Sequence, residues 1–132
     1  MLGDLIYEAM GKTVGMRVID DNGTMEITLE EKGKIFGIEC TLTLTFVGKP
    51  RPNRMQYSEG RGILLTKDGD AATLTMSGIS IPKGFPPRSS VRGATIFNTQ
   101  SPKLERLNSV VCVFEAEMNE DHSYSVKDWE WK

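Results

Sequence analysis

Alternation of apolar with small or polar residues between positions 36 and 46 constrains the fold of this chain more than any other feature. The apolar side chains that share one face are Phe36, Ile38, Cys40, Leu42, Leu44 and Phe46. A period of two predicts a β-strand with one buried face. The predicted strand runs from about Lys34 to Val47, which is long compared with the roughly five or six residues of a typical strand. Such strands are typical of barrels and strongly coiled sheets, and we expect Gly37 to mark a bend.

Residues 107–132 predict two further strands joined by the turn NEDH. One face of the first strand carries Val110, Cys112, Phe114, Ala116 and Met118. The returning segment SYSVKDWEWK holds both tryptophans of the chain, and the gain from burying indole rings predicts that this last strand is locked into the fold. A bulge near Lys127-Asp128 would place Tyr124 on the same face as Trp129 and Trp131. Without the bulge, the tryptophans point away from the tyrosine.

Turn signals divide the chain into eight strand-like segments. Asn22-Gly23 and Asp68-Gly69 are hairpin signals because these residues tolerate a positive φ, and Lys32-Gly33 is predicted as another turn. Residues 1–11 fit either a strand or a helical turn. The irregular stretches are 49–53, 82–90 and 99–106, the last with one helical turn predicted after Pro102. Short connections favour antiparallel pairing of neighbouring strands.

These segments predict an all-β protein. We expect an antiparallel up-and-down β-barrel of about eight strands, because closure removes the edge strands that promote aggregation. A two-sheet β-sandwich is the alternative. The length of 132 residues predicts a single domain over residues 1–132.

Composition narrows the classes of function. The formal net charge is −2, with acidic and basic residues mixed along the chain, which disfavours nucleic-acid binding. No apolar run approaches the ~20 residues that span a bilayer, and the N-terminal stretch lacks the basic start of a secretory signal. We therefore expect a cytoplasmic protein with no membrane partner. In that compartment Cys40 and Cys112 are predicted to be buried free thiols.

No arrangement typical of catalysis or metal binding occurs in the sequence. His122 is the only histidine, so a histidine-based metal cluster is excluded, and its place in NEDHSY predicts a solvated turn residue. Cys40 and Cys112 lie at apolar positions, which argues against a Cys/His nucleophile pair. Gly60 and Gly62 do not form a dinucleotide fingerprint because no helix is predicted after them. We assign no catalytic residue, no metal ligand and no cofactor.

Polar and aromatic residues that the alternation groups with apolar ones are the candidates for ligand binding. They are Tyr57, Glu59, Arg61, Arg92, Asn98, Asn108, Glu115, Trp129 and Trp131. If their face lines a barrel interior, Glu59, Arg61 and Arg92 would form a paired polar floor in an apolar cavity. A carboxylate beside apolar walls has a raised pKa and can act as an acid or base. The alternatives are rim positions or a structural ion pair for the charged residues, and core or subunit contacts for the tryptophans.

The chain resembles the allene oxide cyclase-like barrels, which include the dirigent-like proteins, and more loosely the lipocalin-like calycins. The resemblance is carried by strand count, chain length and the SEGRG strand followed by a TKDGD hairpin. The segments SPKLERLN, FEAEM and DWEWK are similar to those of small uncharacterised prokaryotic proteins of this kind. The resemblance covers most of the chain, is architectural and transfers no catalytic motif. It implies an apolar cavity, no cofactor and a homo-oligomer, either a dimer or a trimer.

Three functions remain open from the sequence. The first is binding of a small apolar or amphipathic ligand inside the barrel. The second is a cofactor-free isomerase or cyclase that uses Glu59 or Glu115 as acid or base. The third is a filled barrel that acts as an oligomeric or interaction module through its tryptophans or its outer threonines, Thr41, Thr43 and Thr45. An eight-stranded barrel is just wide enough to be filled by side chains or to hold one small ligand.

Overall fold

A computed structural model of the protein describes residues 2–132, whose eight strands form one closed antiparallel barrel. The strands are β1 Leu2–Val18, β2 Met25–Ile35, β3 Ile38–Pro50, β4 Gln56–Thr66, β5 Ala71–Pro82, β6 Ser89–Thr99, β7 Cys112–Met118 and β8 Ser123–Trp131. Two 3₁₀ helices cover Pro52–Arg54 and Pro102–Ser109. Each strand pairs with its neighbours in sequence, and β8 closes the barrel against β1. The predicted up-and-down barrel is therefore confirmed, and the β-sandwich alternative is wrong.

The ambiguous N-terminal segment is a strand from Leu2 onward; Met1 lies outside the described residues. Three irregularities bend β1: its register shifts between Leu5 and Tyr7 and between Leu2 and Leu5 against β8, and between Thr13 and Gly15 against β2. The first shift inserts Ile6, so that Ile6 and Tyr7 are both buried although they are consecutive. Bulges of this kind increase local twist, which lets a long strand curve around a barrel.

The turn predicted at Lys32-Gly33 is wrong, because Gly33 lies within β2 and pairs with β1 and β3. The chain reverses instead at Phe36 and Gly37, whose φ angles of 49° and 77° suit a two-residue hairpin. The stretch predicted as one strand from Lys34 to Val47 is therefore the end of β2, a hairpin turn and most of β3. Gly37 is a turn residue rather than a bend within a strand.

One end of the barrel is closed by the 3₁₀ helix Pro102–Ser109, named here the plug helix, which confirms the helical turn expected after Pro102. Its Leu104 and Leu107 are 0% exposed. Asn108 anchors it to β6, because its Oδ1 accepts from the Thr99 backbone N–H at 2.8 Å and its Nδ2 donates to the Thr99 carbonyl at 2.9 Å. Neither helix within residues 2–132 has the length and apolar content needed to cross a membrane.

The last strand is held on both sides, as predicted, by β1 and β7. Its register with β7 is continuous from Tyr124 to Glu130, so the bulge considered at Lys127-Asp128 is absent there. The side chain of Tyr124 consequently points into the barrel, and Trp129 and Trp131 lie on the outer face.

Both cysteines are buried and free, in agreement with the sequence. Cys40 lies on β3 and Cys112 on β7, on the inner face in each case. Burial raises the pKa of the Cys40 thiol to about 11 and that of Cys112 to about 12. Both groups therefore remain neutral thiols near pH 7 and behave as small apolar side chains.

Candidate ligand-binding cavity

The barrel encloses a cavity of about 510 Å³. Its apolar walls come from inward-facing positions of five strands: Ile27, Leu29, Leu42, Leu44, Phe46, Leu74, Met76, Val91, Phe97 and Phe114. The alternation in β2, β3 and β7 predicted these inner faces correctly. The volume lies in the range of small-molecule sites, which is roughly 300–1,000 Å³. The barrel is therefore hollow rather than filled by its side chains.

Inner-face glycines help to keep the centre open. A Cβ on Gly93 would lie 2.6 Å from Cε2 of Phe114, and one on Gly78 would lie 3.2 Å from Cζ of the same ring. A Cβ on Gly60 would similarly lie 2.5 Å from Cβ of Phe46. The two aromatic side chains therefore pack tightly against the barrel wall where glycine leaves space.

The inner end of the cavity is polar, and we name Tyr7, Glu31, Thr95, Tyr124 and Asp128 the polar floor. Glu31 is 5% exposed. The Tyr7 hydroxyl donates to its Oε1 at 2.7 Å, and the Tyr124 hydroxyl donates to its Oε2 at 2.5 Å. Both carboxylate oxygens thus have a buried hydrogen-bond donor, which a buried carboxylate requires.

Asp128 is the second buried carboxyl group of the polar floor, at 4% exposure. It lies between Tyr7 on β1 and Phe114 on β7, each of which pairs with it across the sheet. Burial, against a smaller opposite effect of the hydrogen bond from Thr95, and the nearby Glu31 charge together raise the pKa of Asp128 to about 7. Asp128 can therefore gain or lose a proton near neutral pH.

The other titratable groups of the polar floor also have raised pKa values. Burial raises the pKa of Glu31, although the hydrogen bonds from Tyr124 and Tyr7 act in the opposite direction. Burial and the adjacent Glu31 charge raise the pKa of both tyrosines well above the ordinary range. The two phenols therefore remain hydrogen-bond donors at any physiological pH.

The opposite end of the cavity is its mouth, lined by Met16, Met25, Arg54, Arg88 and His122. His122 is a turn residue, as predicted, with a φ of 69°. It also borders the cavity, which no sequence pattern indicates. Phe85, on the connection between β5 and β6, is 76% exposed near this end. The cavity thus runs from a partly basic mouth to an acidic and phenolic floor.

The candidate residues of β4 lie on the outer face, so the expectation that their face lines the interior is wrong. The inward positions of this strand are Gln56, Ser58, Gly60, Gly62 and Leu64, whereas Tyr57, Glu59 and Arg61 border a groove on the outer surface. The Tyr57 hydroxyl donates to Glu59 there. The apolar residues that suggested the wrong face include Ile63, which is 55% exposed.

The candidates on β6 and β7 are also exposed on the outer face. Arg92 forms ion pairs with Glu115 at 3.6 Å and Glu117 at 3.3 Å. The expectation that Arg92 lines the interior is therefore wrong, and the alternative of an ion pair describes it. Exposed pairs of this kind contribute little to stability. Asn98 is exposed as well.

The remaining three candidates are likewise outside the cavity. Asn108 belongs to the plug helix, where it anchors the backbone of Thr99. Trp129 is half-buried on the outer face, and Trp131 is 61% exposed. A contact of either tryptophan with a ligand or a second subunit stays a prediction.

The residues of the polar floor were missed although the sequence carried a signal. Glu31 continues the apolar register of Met25, Ile27 and Leu29, and Asp128 continues that of Tyr124 and Val126. Glu59 and Glu115 show the same pattern of a carboxylate in register with apolar residues. On β4 the outer face is the more apolar one, and on β7 Val113 precedes Glu115 on the outer face, so neither carboxylate lies in the cavity.

The described residues 2–132 contain no group of three His, Cys, Asp or Glu side chains placed to hold a metal ion.

Comparison with known proteins identifies the fold and no family. No family model matches the chain, and no curated protein matches it. Three solved structures superpose over nearly its full length. A conserved protein of unknown function from Rhodopseudomonas palustris is 16% identical, with a TM-score of 0.81, and the match covers 98% of this chain and 97% of that chain.

The second structure is a protein with unknown function from Clostridium acetobutylicum, 15% identical over 96% of each chain, with a TM-score of 0.82. The third is a β-barrel-like protein from Acinetobacter baumannii, 16% identical with a TM-score of 0.76, covering 98% of this chain and 94% of that chain. None of the three descriptions mentions an allene oxide cyclase-like family. The chain therefore shares a β-barrel fold with uncharacterised bacterial proteins.

Proposed function

We propose that the protein binds a small amphipathic molecule inside the barrel, with the apolar part against the walls and a polar group at the polar floor. The observation that carries this proposal is a cavity of about 510 Å³ whose walls are apolar and whose inner end holds two buried carboxyl groups. Pockets with apolar walls and a few convergent polar groups are the usual form of small-molecule sites.

The energetics of the two regions are complementary. Apolar surface removed from water contributes about 25 cal/mol per Å², so the walls provide affinity for an apolar body of any suitable shape. The polar floor selects among such bodies, because a ligand without a polar group there leaves Asp128 with only Thr95 as a hydrogen-bonding partner. We expect affinity from Leu29, Leu44 and their neighbours, and specificity from Asp128 and Glu31.

Fluorescence titration with the apolar dye N-phenyl-naphthylamine tests the proposal. Val91 lines the cavity, so Val91→Trp should occupy part of the space and weaken dye binding at least about tenfold, equivalent to about 1.4 kcal/mol. The matched control is Ile96→Trp on the same strand, at a position 55% exposed on the outer face. Equal loss in both variants, or saturable binding that survives Val91→Trp unchanged, would show that the dye does not occupy the barrel.

A second candidate function is a cofactor-free isomerase or cyclase, now with Asp128 in place of the outer carboxylates. A carboxyl group with a pKa of about 7 in an apolar pocket is suited to general acid–base catalysis. Deuterium uptake from D₂O at the carbon beside the carbonyl of cyclohexenone would report proton transfer. We expect Asp128→Asn to abolish any such exchange while dye binding remains, and exchange that persists in this variant would exclude Asp128 as the base.

A further inference from the structure

The polar floor contains carboxyl groups without a buried cation. Glu31 and Asp128 are the only charged side chains among the buried residues of the described chain, 2–132. The basic side chains that line the cavity, Arg54 and Arg88, lie at its mouth. Buried carboxylates ordinarily require a partner charge or several hydrogen bonds.

The two carboxyl groups differ in how many hydrogen bonds their oxygens accept from the protein. Glu31 receives a phenolic hydroxyl on each oxygen. Asp128 is bonded by the Thr95 hydroxyl, yet a carboxylate has two oxygens and about four acceptor sites. Asp128 also lines the cavity. It is therefore the floor group with acceptor capacity left for a ligand.

Aromatic residues flank Asp128 on both neighbouring strands. Tyr7 pairs with it from β1 and Phe114 pairs with it from β7, and both line the cavity. A cation within about 6 Å of an aromatic ring is attracted by the electron density of its face. Carboxylate oxygens together with aromatic rings are a combination that favours an ammonium group.

We propose that the ligand of this cavity is an amine, with a protonated amino group that donates to Asp128 and an apolar body that fills the space between Leu29, Leu44 and Phe97. This inference rests on the proposed function, since it names the class of ligand for the same cavity. The ligand would supply the cation that the polar floor lacks. An anionic head group would instead add a negative charge beside the carboxyl groups of Glu31 and Asp128, and it would be held more favourably at the mouth by Arg54 and Arg88.

The surroundings of Asp128 determine how binding depends on pH. Three titratable groups interact with Asp128: Tyr7 on β1, Glu31 on β2 and Cys112 on β7. Glu130 on β8 and Arg106 on the plug helix interact in turn with Cys112. The pKa of Cys112 is about 12 and that of Tyr7 is raised further above its ordinary value, so both stay neutral near pH 7. Asp128, with Glu31 beside it, is therefore the group that would lose its proton when an ammonium ion binds.

An amine that binds at pH 6 should therefore displace a proton from Asp128. With a free-protein pKa of about 7 and a lower pKa in the complex, affinity for a permanently protonated amine should rise about tenfold between pH 6 and pH 8, and close to one proton should be released at pH 6. An uncharged ligand that accepts a hydrogen bond from protonated Asp128 would show the opposite trend.

Isothermal titration calorimetry with decylamine, decanol and decanoate on the full chain tests the inference, because the three probes share one tail and differ in head-group charge. We expect decylamine to bind at least about tenfold more tightly than either other probe at pH 8. Asp128→Asn should remove this preference and leave decanol binding intact, and Glu59→Gln, an exposed outer carboxylate, should retain wild-type behaviour. Proton release, measured on wild-type protein in buffers of different ionisation enthalpy, provides the same test without any variant.

The outcomes separate the two proposals. Decanol or decanoate binding as tightly as decylamine, or amine binding at pH 6 without proton release, would overturn the amine assignment and leave the cavity proposal standing. Failure of all three probes to bind would overturn both.

Discussion

The hydroxyl of Tyr124 donates to Oε2 of Glu31 at 2.5 Å, joining residues 93 positions apart in the chain. These residues lie on β8 and β2, and the strand between them, β1, contributes Gly11, which pairs with both. A Cβ on Gly11 would lie 2.6 Å from the Tyr124 hydroxyl and 2.8 Å from Cγ of Glu31. The hydrogen bond therefore passes over a position where only glycine leaves enough space.

Gly11→Ala should consequently disrupt the polar floor. Extra volume in a packed interior typically costs about 1–3 kcal/mol, and we expect a loss of unfolding free energy of that size. Gly15→Ala is the control on the same strand, because its nearest atom, Cβ of Thr28, is 3.9 Å from the added methyl group. Urea unfolding measures the free energy of unfolding of both variants. Equal values for Gly11→Ala and Gly15→Ala would contradict the close packing over Gly11.

The raised pKa of Asp128 predicts that the protein becomes less stable as the pH rises from 4 towards 7. In this interval the folded state retains a proton, because its pKa is about 7, while the unfolded state, with the ordinary value of 3.8, has released it. The free energy of unfolding should therefore fall by about 1.4 kcal/mol per pH unit for this group, and its contribution is complete only below pH 4. The sign is opposite to that of a carboxylate in a salt bridge.

Urea unfolding at several pH values checks this dependence in wild-type protein and in Asp128→Asn. The variant lacks the titrating group, so its profile should be shallower, with the residual slope coming from Glu31, whose pKa is also raised. Parallel profiles for the two proteins would show that Asp128 is ionised in the folded state over the whole range.

Asn108 should stabilise the attachment of the plug helix. Asn108→Ala removes two hydrogen bonds to the backbone of Thr99 and should lower the free energy of unfolding by about 1–3 kcal/mol. Asn98→Ala, on the exposed outer face, should change it by less than about 0.5 kcal/mol. A loss confined to Asn98→Ala would refute the anchoring role.

The apolar residues of the plug helix should matter more than its hydrogen bonds. Leu107 is 0% exposed, and truncation of a fully buried leucine costs about 2–5 kcal/mol. We expect Leu107→Ala to fall in that range and Glu105→Ala, an exposed position of the same helix, to be close to neutral. Thermal unfolding of the pair measures the difference; a small effect of Leu107→Ala would mean that the barrel end is closed without this helix.

The candidate site was less predictable than the fold. Alternation identified the inner faces of β2, β3 and β7, because in these strands the buried face is also the more apolar one. The same rule failed for β4, where the inner face holds Ser58, Gly60 and Gly62. Small residues are required there because the Phe46 side chain packs against Gly60, and no local pattern reveals a contact made by another strand. Cytoplasmic location and assembly into a dimer or trimer stay predictions.

Period-two patterns and turn residues by themselves determined that this protein is built of about eight antiparallel strands, because these signals act over a few neighbouring residues. They left a barrel and a two-sheet sandwich as alternatives, and the pairing of β8 with β1 in the tertiary structure decided for the barrel. The tertiary structure alone decided which carboxylates are internal. Glu31 and Asp128 resemble Glu59 and Glu115 in the sequence, and they differ only in the direction in which the closed sheet points their side chains. Closure brings Tyr7 and Tyr124 to Glu31 from positions 24 and 93 residues away, and such a distant pairing depends on barrel register rather than on local sequence.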